Sequence, residues 1–334
     1  MGKDLLHRPI CDLLQCRYPI LSAGMGGVAR AELTAAVSKA GGFGCLGMVR
    51  EPAELIAREI RAVRAITNNA FGVNLIPSAT DPDLFKDQLA ACREEKVHTL
   101  TFFWDVCPNS IAVAKSGGSR VLYQVGSVED ALKAEAAGAD AVIVQGFEAG
   151  GHVRGSISSL VLLPLVANAI DIPVLGSGGF ASGASLVAAF ALGAQGIHCG
   201  TTFVATKESF AHDFHKQRIV GANAQDTVHT DAFGINWPPA SPVRVLKNSV
   251  TETLKGNLYG YDSDAIEREV IANEQGRDIY RFSTDSPLRS MTGDLESLAL
   301  FAGQVAGQVV QIEGAGKVVE RIAEEARSVL AGLN

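Results

Sequence analysis

The residues that point most directly to chemistry lie in one glycine-dense loop, residues 145–155. In this loop His152 directly follows Gly150 and Gly151. An imidazole titrates near neutral pH and can accept or hold a proton, and glycines leave room for a substrate or a flat cofactor to approach. A lone loop histidine is usually solvated, but this setting favours a catalytic role for His152. Glu148 either orients the loop or is merely exposed.

Two further glycine turns are suited to an anion. Gly178 and Gly179 follow an apolar β-rich run and precede a helical pattern, and Gly200 and Thr201 follow the next such run. Consecutive backbone N–H groups near the start of a helix can bind phosphate, and the missing side chains permit close approach. One turn alone would be ordinary. Two turns at the ends of successive predicted strands favour a phosphate site.

A competing interpretation comes from residues 24–29, which fit the Gly-x-Gly-x-x-Ala pattern of dinucleotide-binding proteins. Glu51 could then serve as the distal acid. The pattern is weak by itself. In a barrel, the same glycines would instead let the backbone pack against a flat ring.

Two other candidate sites carry less weight. His212 and His215 could place two metal ligands one helical turn apart, with His229 or Asp226 as a third. This spacing is common by chance, so we expect a solvated helix face and no metal. Cys107 lies in a strand-end loop, where nothing in the sequence marks it as an activated nucleophile.

Strands and helices alternate through the first 206 residues, and this alternation must position the loops. Eight strands with seven intervening helices favour a (β/α)8 TIM barrel over a doubly wound sheet. Active sites of such barrels form at the C-terminal ends of the strands, which would bring the three loops to one face. Ser127 is expected to cap the helix after the fifth strand. The predicted strands lie near residues 19–23, 43–46, 71–75, 99–103, 121–125, 141–145, 173–176 and 196–199.

The pattern changes after residue 206, so we expect three parts. Residues 1–206 would form the barrel, and residues 207–294, which are richer in polar residues and proline, would form a mostly helical insertion that caps the substrate. Residues 295–334 would complete the barrel with C-terminal helices, near residues 295–311 and 317–330.

Composition narrows the class of protein. Hydrophobic residues make up 47% and charged residues 19%, which is typical of a globular chain with a sizeable core. The net charge is -7 and basic residues form no run, so neither nucleic acid nor an anionic membrane is an expected partner. The N-terminus has no apolar signal segment, and no Cys-x-x-Cys pair occurs. We therefore expect a cytoplasmic protein with reduced thiols; homo-oligomerisation stays open.

Together these motifs resemble the nitronate monooxygenase family, also called 2-nitropropane dioxygenases. The resemblance spans roughly residues 15–206, and the Gly-Gly-His loop is its most specific element. The matching segments are Pro19-Ile20-Leu21-Ser22-Ala23-Gly24-Met25-Gly26-Gly27, Ala40-Gly41-Gly42-Phe43-Gly44, Phe71-Gly72-Val73-Asn74, Gln145-Gly146-Phe147-Glu148-Ala149-Gly150-Gly151-His152, Ser177-Gly178-Gly179-Phe180 and Ala191-Leu192-Gly193-Ala194 through Gly200-Thr201.

The resemblance implies FMN in the mouth of the barrel, with His152 as the base or the group that positions the substrate. The expected cofactor-binding residues are Ala23, Gly24, Met25 and Asn74 around the ring, Gln124 and Gln145 at the ring edge or ribityl chain, Ala149, Gly150 and Gly151 packed nearby, and Gly178, Gly179, Gly200 and Thr201 at the phosphate.

The implied reaction is oxidation of a small alkyl nitronate by O2 to a carbonyl compound and nitrite. Many relatives have a lysine on the fifth strand where this chain has Tyr123 and Gln124, a departure that bears on flavin tuning and substrate choice. Three alternatives stay open. They are an NAD(P)H-dependent flavin reductase of quinones or enoyl-thioesters, a non-catalytic flavin-binding protein and a doubly wound NAD-dependent dehydrogenase.

Overall fold

Eight parallel strands form the centre of the molecule. The computed structural model describes residues 4–333 of the chain. In the sheet the strand order is β1-β9-β8-β6-β5-β4-β3-β2, and a bridge between Leu21 and Phe43 joins the two outer strands, so the sheet is nearly closed into the predicted barrel. The barrel strands are β1 (Ile20–Ser22), β2 (Gly44–Gly47), β3 (Phe71–Leu75), β4 (Thr99–Phe102), β5 (Arg120–Val125), β6 (Ala141–Gln145), β8 (Val174–Ser177) and β9 (Gly196–Cys199), and the short β7 (Gly151–His152) lies in the loop after β6.

Helices surround the barrel and close its base. At the base, α1 (Pro9–Leu14) packs against the apolar residues inside the barrel. At the periphery, α12 (Ala315–Gly332) is the last barrel helix and packs against α8 and α2. The Ser127 hydroxyl accepts from the backbone N–H of Asp130 at 3.1 Å, which confirms the predicted helix cap. The other barrel helices are α2 (Ala31–Lys39), α3 (Ala53–Ile66), α4 (Pro82–Glu94), α5 (Pro108–Ser116), α6 (Val128–Ala136), α7 (Ser159–Ala167), α8 (Gly183–Ala191) and the short α9 (Thr201–Val204).

The barrel interior is apolar at the base and polar near the C-terminal strand ends. Because side chains alternate along a strand, Gln124, Gln145 and Ser177 share the inner face with the apolar residues two positions earlier. This change of polarity leaves hydrogen-bonding groups at one end only. The apolar interior cluster contains Leu21, Leu122, Ile143 and Leu175 from four strands and Phe43, which directly precedes β2, packed with Ile10 and Leu14 of α1.

The chain leaves the barrel after α9 and returns at Glu313, which pairs with Thr206. Residues 207–294 were expected to be mostly helical, but short strands are as prominent there as helices. β-branched residues that pair across strands, and tight turns between strands, favour strands over helices in this segment. At one such turn Gln275 and Gly276 have φ of 51° and 94°, as a two-residue hairpin turn requires. The elements are α10 (Asp213–Val220), β10 (Thr227–Thr230), β11 (Val243–Leu246), α11 (Ser249–Thr253), β12 (Val270–Glu274), β13 (Arg277–Tyr280) and β14 (Met291–Gly293).

The helix expected over residues 295–311 does not form. That segment contains two short 3-10 turns, Leu295–Ser297 and Gln304–Gln308. A Cβ atom on Gly303 would lie 2.8 Å from the carbonyl oxygen of Glu148, so the segment is fitted to the loop after β6. The second expected helix, near residues 317–330, is confirmed as α12.

No helix among residues 4–333 is both long and apolar enough to span a membrane.

Candidate active site

A cavity of about 1360 Å³ opens at the C-terminal ends of the barrel strands. It extends from the barrel mouth to α3, which contributes Leu55, Glu59 and Ala62 to its lining. Every site residue expected from the sequence lines this one cavity. They are Ala23, Gly24, Met25, Asn74, Gln124, Gln145, Ala149, Gly150, Gly151, His152, Gly178, Gly179, Gly200 and Thr201.

The two glycine turns lie at neighbouring strand ends, because Ser177 of β8 is in register with His198 of β9. Gly178 and Gly179 have φ of 79° and 87°, a backbone conformation that side chains disfavour. Within residues 4–333 the backbone N–H groups of Gly178, Gly179 and Gly200 have no protein acceptor. Such groups at the edge of a cavity are suited to an anion.

Gly24, which follows the first strand, packs very closely against the side chain of Asn74. A Cβ atom there would lie 2.2 Å from the Cβ of Asn74, whose amide donates to the carbonyl oxygen of Thr101 at 3.0 Å. The dinucleotide interpretation of residues 24–29 is wrong, because the fold is a barrel and Glu51 forms an ion pair with Arg30 at 2.8 Å. The glycines instead permit close packing of the backbone.

The floor of the cavity is polar. The Gln145 amide donates to the carbonyl oxygen of His152 at 2.8 Å and accepts from the N–H of Arg154 at 3.0 Å, so it fixes the loop after β6. Beside it, the Ser177 hydroxyl and Nδ1 of His198 are 3.1 Å apart. Burial lowers the pKa of His198 to about 4. Sequence reasoning missed His198, although strand periodicity aligns it with inward-facing Leu21.

His152 is held against an aromatic ring. Its imidazole stacks on the indole of Trp237, with ring centroids 3.6 Å apart and 18° between the planes. The edges of Trp104 and Phe301 lie near, with centroids at 6.0 and 5.9 Å. Nε2 of His152 is buried and has no hydrogen-bond partner among the described residues. Burial, together with the positive charge of Arg50, lowers the pKa of His152 well below its usual value, so the ring is neutral.

The aromatic cover was not predicted from the sequence. Trp237 comes from the loop between β10 and β11, and it packs with Phe103 and Trp104 in one apolar cluster. The Trp237-Pro238-Pro239 sequence marks a loop but does not say what the loop covers. Only the folded chain brings position 237 to position 152.

Sheet pairing joins the Trp237 loop to the loop after β6. In β7, His152 pairs with Val243 and Gly151 with Arg244 of β11. The N–H of Val153 continues the pairing by donating to the carbonyl oxygen of Pro242 at 3.0 Å. The loop after β6 is therefore one edge of a small three-stranded sheet.

Glu148 orients this loop, which settles the two alternatives left by the sequence. The Glu148 carboxylate accepts from two groups of Ser159 at the start of α7, the N–H at 2.9 Å and the hydroxyl at 3.1 Å. Its carbonyl oxygen accepts from the N–H of Gln304 at 3.0 Å. The N–H of Gly303 in turn donates to the Thr201 hydroxyl at 2.9 Å, so the returning chain joins the loop to the turn after β9.

The remaining sequence candidates have structural roles. His215 is completely buried, with Nε2 3.1 Å from the Phe301 carbonyl oxygen, so the expected solvated face is wrong for this residue. His212 caps α10 by accepting from the N–H of Phe214 at 3.1 Å. No group of three potential metal ligands occurs in the described part of the chain. Burial raises the pKa of Cys107, which disfavours a nucleophilic thiolate.

The departure on the fifth strand has a structural explanation. Tyr123 is buried, and its hydroxyl donates to the Asp105 carbonyl oxygen at 2.6 Å and accepts from the N–H of Cys107 at 3.1 Å. Tyr123 thus holds the loop after β4 and does not line the cavity. Gln124, the next residue, lines it with a neutral amide.

Known proteins resemble this chain over most of its length. The family model described as nitronate monooxygenase matches residues 7–325. A (3aS,4S,5R,7aS)-5-hydroxy-7a-methyl-1-oxo-octahydro-1H-indene-4-carboxyl-CoA dehydrogenase from Mycobacterium tuberculosis is 36% identical over 253 residues, covering 75% of this chain and 69% of the relative. The solved structure of FabK from Thermotoga maritima has a TM-score of 0.79 at 32% identity and covers 97% of both chains. A nitroalkane oxidase from Streptomyces ansochromogenes has a TM-score of 0.78 at 28% identity, covering 97% of this chain and 99% of its own.

The buried histidines predict a loss of stability in acid. Burial lowers the pKa of His198 to about 4, whereas the unfolded chain takes up that proton near pH 6.5. The unfolded state therefore binds more protons as the pH falls from about 6.5 to 4, and the folded state loses stability in that window. From pH 7 to 5 this one residue should cost about 2 kcal/mol. Denaturant titrations at both pH values should show a smaller acid loss in His198→Gln; an equal loss would contradict the assignment.

Proposed function

The chain belongs to the nitronate monooxygenase family and is an oxidoreductase, and from that premise we propose that it uses FMN to oxidise alkyl nitronates with O2. Two nitronate ions and one O2 would give two carbonyl compounds and two nitrite ions. The observation that supports this proposal best is the neutral imidazole of His152, with Nε2 unpartnered among the described residues, in the same cavity as backbone N–H groups that have no protein acceptor.

The residues present fit FMN. A Cβ atom on Gly178 would lie 2.8 Å from the carbonyl oxygen of Gly146, so that turn tolerates only glycine. A Cβ atom on Gly200 would meet nothing closer than 3.8 Å, so the space beside the second turn is open. We propose that Gly178, Gly179, Gly200 and Thr201 hold the phosphate. Bound FMN would supply the electron-accepting chemistry.

The remaining cavity residues would hold the ring and the ribityl chain. Gln145 still has one N–H and one oxygen lone pair to offer after its two loop contacts. We assign Ala23, Gly24, Met25 and Asn74 to the ring, Gln124 and Gln145 to its edge or the ribityl chain, and Ala149, Gly150 and Gly151 to packing against the cofactor.

The state of His152 favours the nitronate over the neutral nitroalkane. A nitronate is already ionised, so no proton has to be removed. A neutral nitroalkane needs a base, and the lowered pKa of His152 makes its imidazole a weak one. Stacking on Trp237 would partly offset the cost of protonation, because an aromatic face attracts a cation. His152 therefore positions the ionised substrate and acts as base for the neutral one.

An extended enoyl thioester, reduced with NAD(P)H as electron donor, is the second candidate substrate. The cavity continues beyond the barrel mouth along α3, where Leu55, Glu59 and Ala62 line it. The cavity is therefore larger than a small nitroalkane would fill. The Mycobacterium tuberculosis relative is named for a carboxyl-CoA substrate.

Anaerobic mixing should distinguish the two functions. We expect a nitronate to bleach the flavin absorbance of the purified protein, and admission of air to release nitrite. NADH should leave the absorbance unchanged on the same time scale. Bleaching by NADH and not by the nitronate would favour the thioester reductase, and a protein that stays colourless after FMN is added would contradict both.

We predict that His152→Ala retains FMN but loses activity on neutral nitroalkanes by about 10²- to 10⁴-fold, the usual contribution of a general base. The loss on a preformed nitronate should be much smaller. Nitrite release from both forms of one nitroalkane measures this difference. His229→Ala is a matched control, because His229 is partly buried but lies outside the cavity. Wild-type rates for His152→Ala on the neutral form would refute the role.

We predict that Gly178→Asp weakens FMN retention, because a side chain at φ 79° is strained and a carboxylate repels phosphate. Gly118→Asp is the control: Gly118 has φ 88° and open space around it, and it does not line the cavity. Equilibrium dialysis should show at least about tenfold weaker FMN binding for Gly178→Asp alone. Equal affinity in the two variants would mean that the phosphate lies elsewhere.

A further inference from the structure

Arg50 occupies a strained position at the cavity. It follows β2, lines the cavity and has φ of 58°, a left-handed conformation that residues with a side chain rarely adopt. Such strain persists only where the surrounding structure enforces it, and it is frequent at binding sites. The left-handed conformation of Arg50 therefore makes its guanidinium a candidate ligand-binding group.

The Arg50 guanidinium has no counterion among the described residues. The nearby carboxylates are committed elsewhere: Glu51 pairs with Arg30 at 2.8 Å, and Asp285 pairs with Arg277 at 2.8 Å. Arg50 itself donates only to neutral oxygens, the carbonyl of Asn236 and, at 3.4 Å, the hydroxyl of Thr284. Its burial lowers its pKa, which reflects a cation that is poorly solvated and unpaired.

This cation lies beside the imidazole and indole pair. The guanidinium carbon of Arg50 is 5.3 Å from the ring centroid of Trp237, on which His152 stacks. Its charge contributes to the lowered pKa of His152. An anion bound to Arg50 would therefore sit next to the group proposed to position the substrate.

We propose that Arg50, with the Thr284 hydroxyl, forms a subsite for a planar two-oxygen anion of the substrate, either a carboxylate or the nitronate group itself. A guanidinium fork matches two such oxygens with parallel N–H bonds. The subsite makes the enzyme selective for negatively charged substrates. As a statement about substrate it rests on the proposed function, but anion binding can be measured without turnover.

Tryptophan fluorescence provides that measurement, because both tryptophans of the chain lie here. Trp104 and Trp237 have ring centroids 6.3 Å apart. Titrating the FMN-loaded protein with propanoate should give a saturable change in emission, and propanamide, its neutral counterpart, should give none. In Arg50→Gln the apparent Kd should rise by at least about tenfold. Arg120→Gln, at an exposed arginine outside the cavity, should bind as the wild type does.

Three fluorescence results would overturn the subsite. They are no saturable change with propanoate, equal affinity for propanamide, and equal affinity in Arg50→Gln. Propanoate binding to the FMN-free protein that disappears on loading with FMN would also overturn it, because Arg50 would then bind the cofactor. None of these outcomes depends on nitronate turnover, so failure of the proposed function would be seen separately.

Kinetics then identify which anion Arg50 holds. Two nitronates of similar size, one with a terminal carboxylate and one without, should be compared in wild type, Arg50→Gln and Arg50→Lys. An equal fall in kcat/KM for both substrates assigns Arg50 to the reacting nitronate, and a fall confined to the carboxylate-bearing substrate assigns it to the remote group. Arg50→Lys should recover part of the loss. Unchanged kcat/KM for both nitronates in Arg50→Gln would contradict the subsite.

Discussion

The antiparallel pairing of β7 with β11 is the interaction on which the rest of the site depends. By itself, a glycine-rich loop after β6 has little to fix its conformation, because glycine loses much conformational freedom on folding. Pairing with Val243 and Arg244 fixes the backbone at Gly151 and His152, and the Gln145 amide fixes it again from the barrel side. The backbone that carries the imidazole is therefore held between a strand edge and the barrel floor.

The same pairing determines the electrostatics of the cavity. It brings the Trp237 loop over His152, and the resulting burial keeps the imidazole uncharged. His198 on the floor is also neutral for the same reason. A guanidinium does not lose its charge in this way near neutral pH, because it is the most basic side-chain group in proteins. Arg50 thus stays positively charged at this part of the cavity, and the nearby carboxylates Glu51 and Asp285 are engaged by Arg30 and Arg277.

Local patterns were sufficient to predict the barrel and the glycine turns. Alternating strands and helices, glycines after apolar runs and the Ser127 cap are all encoded within short stretches of sequence, and parallel strands bring their C-terminal ends to one face. The contribution of Trp237 and Gly303 could not be predicted in this way, because both are distant in sequence from the loop after β6 that they contact. Trp237 lies about 85 residues from its partner in that loop, and Gly303 about 150 residues. The segment at 295–311 illustrates the limit. The helix expected there does not form, and the segment instead fits closely against the loop at Glu148.

The pairing of Thr206 with Glu313 has an evolutionary consequence. The N–H of Lys207 donates to the Glu313 carbonyl oxygen at 3.0 Å, so the hundred-odd residues between leave and rejoin the barrel at adjacent points. An excursion anchored in this way can be exchanged, shortened or grafted without opening the ring of strands. Descendants of one ancestral barrel can then diversify in the molecules they accept while inheriting the same glycine turns.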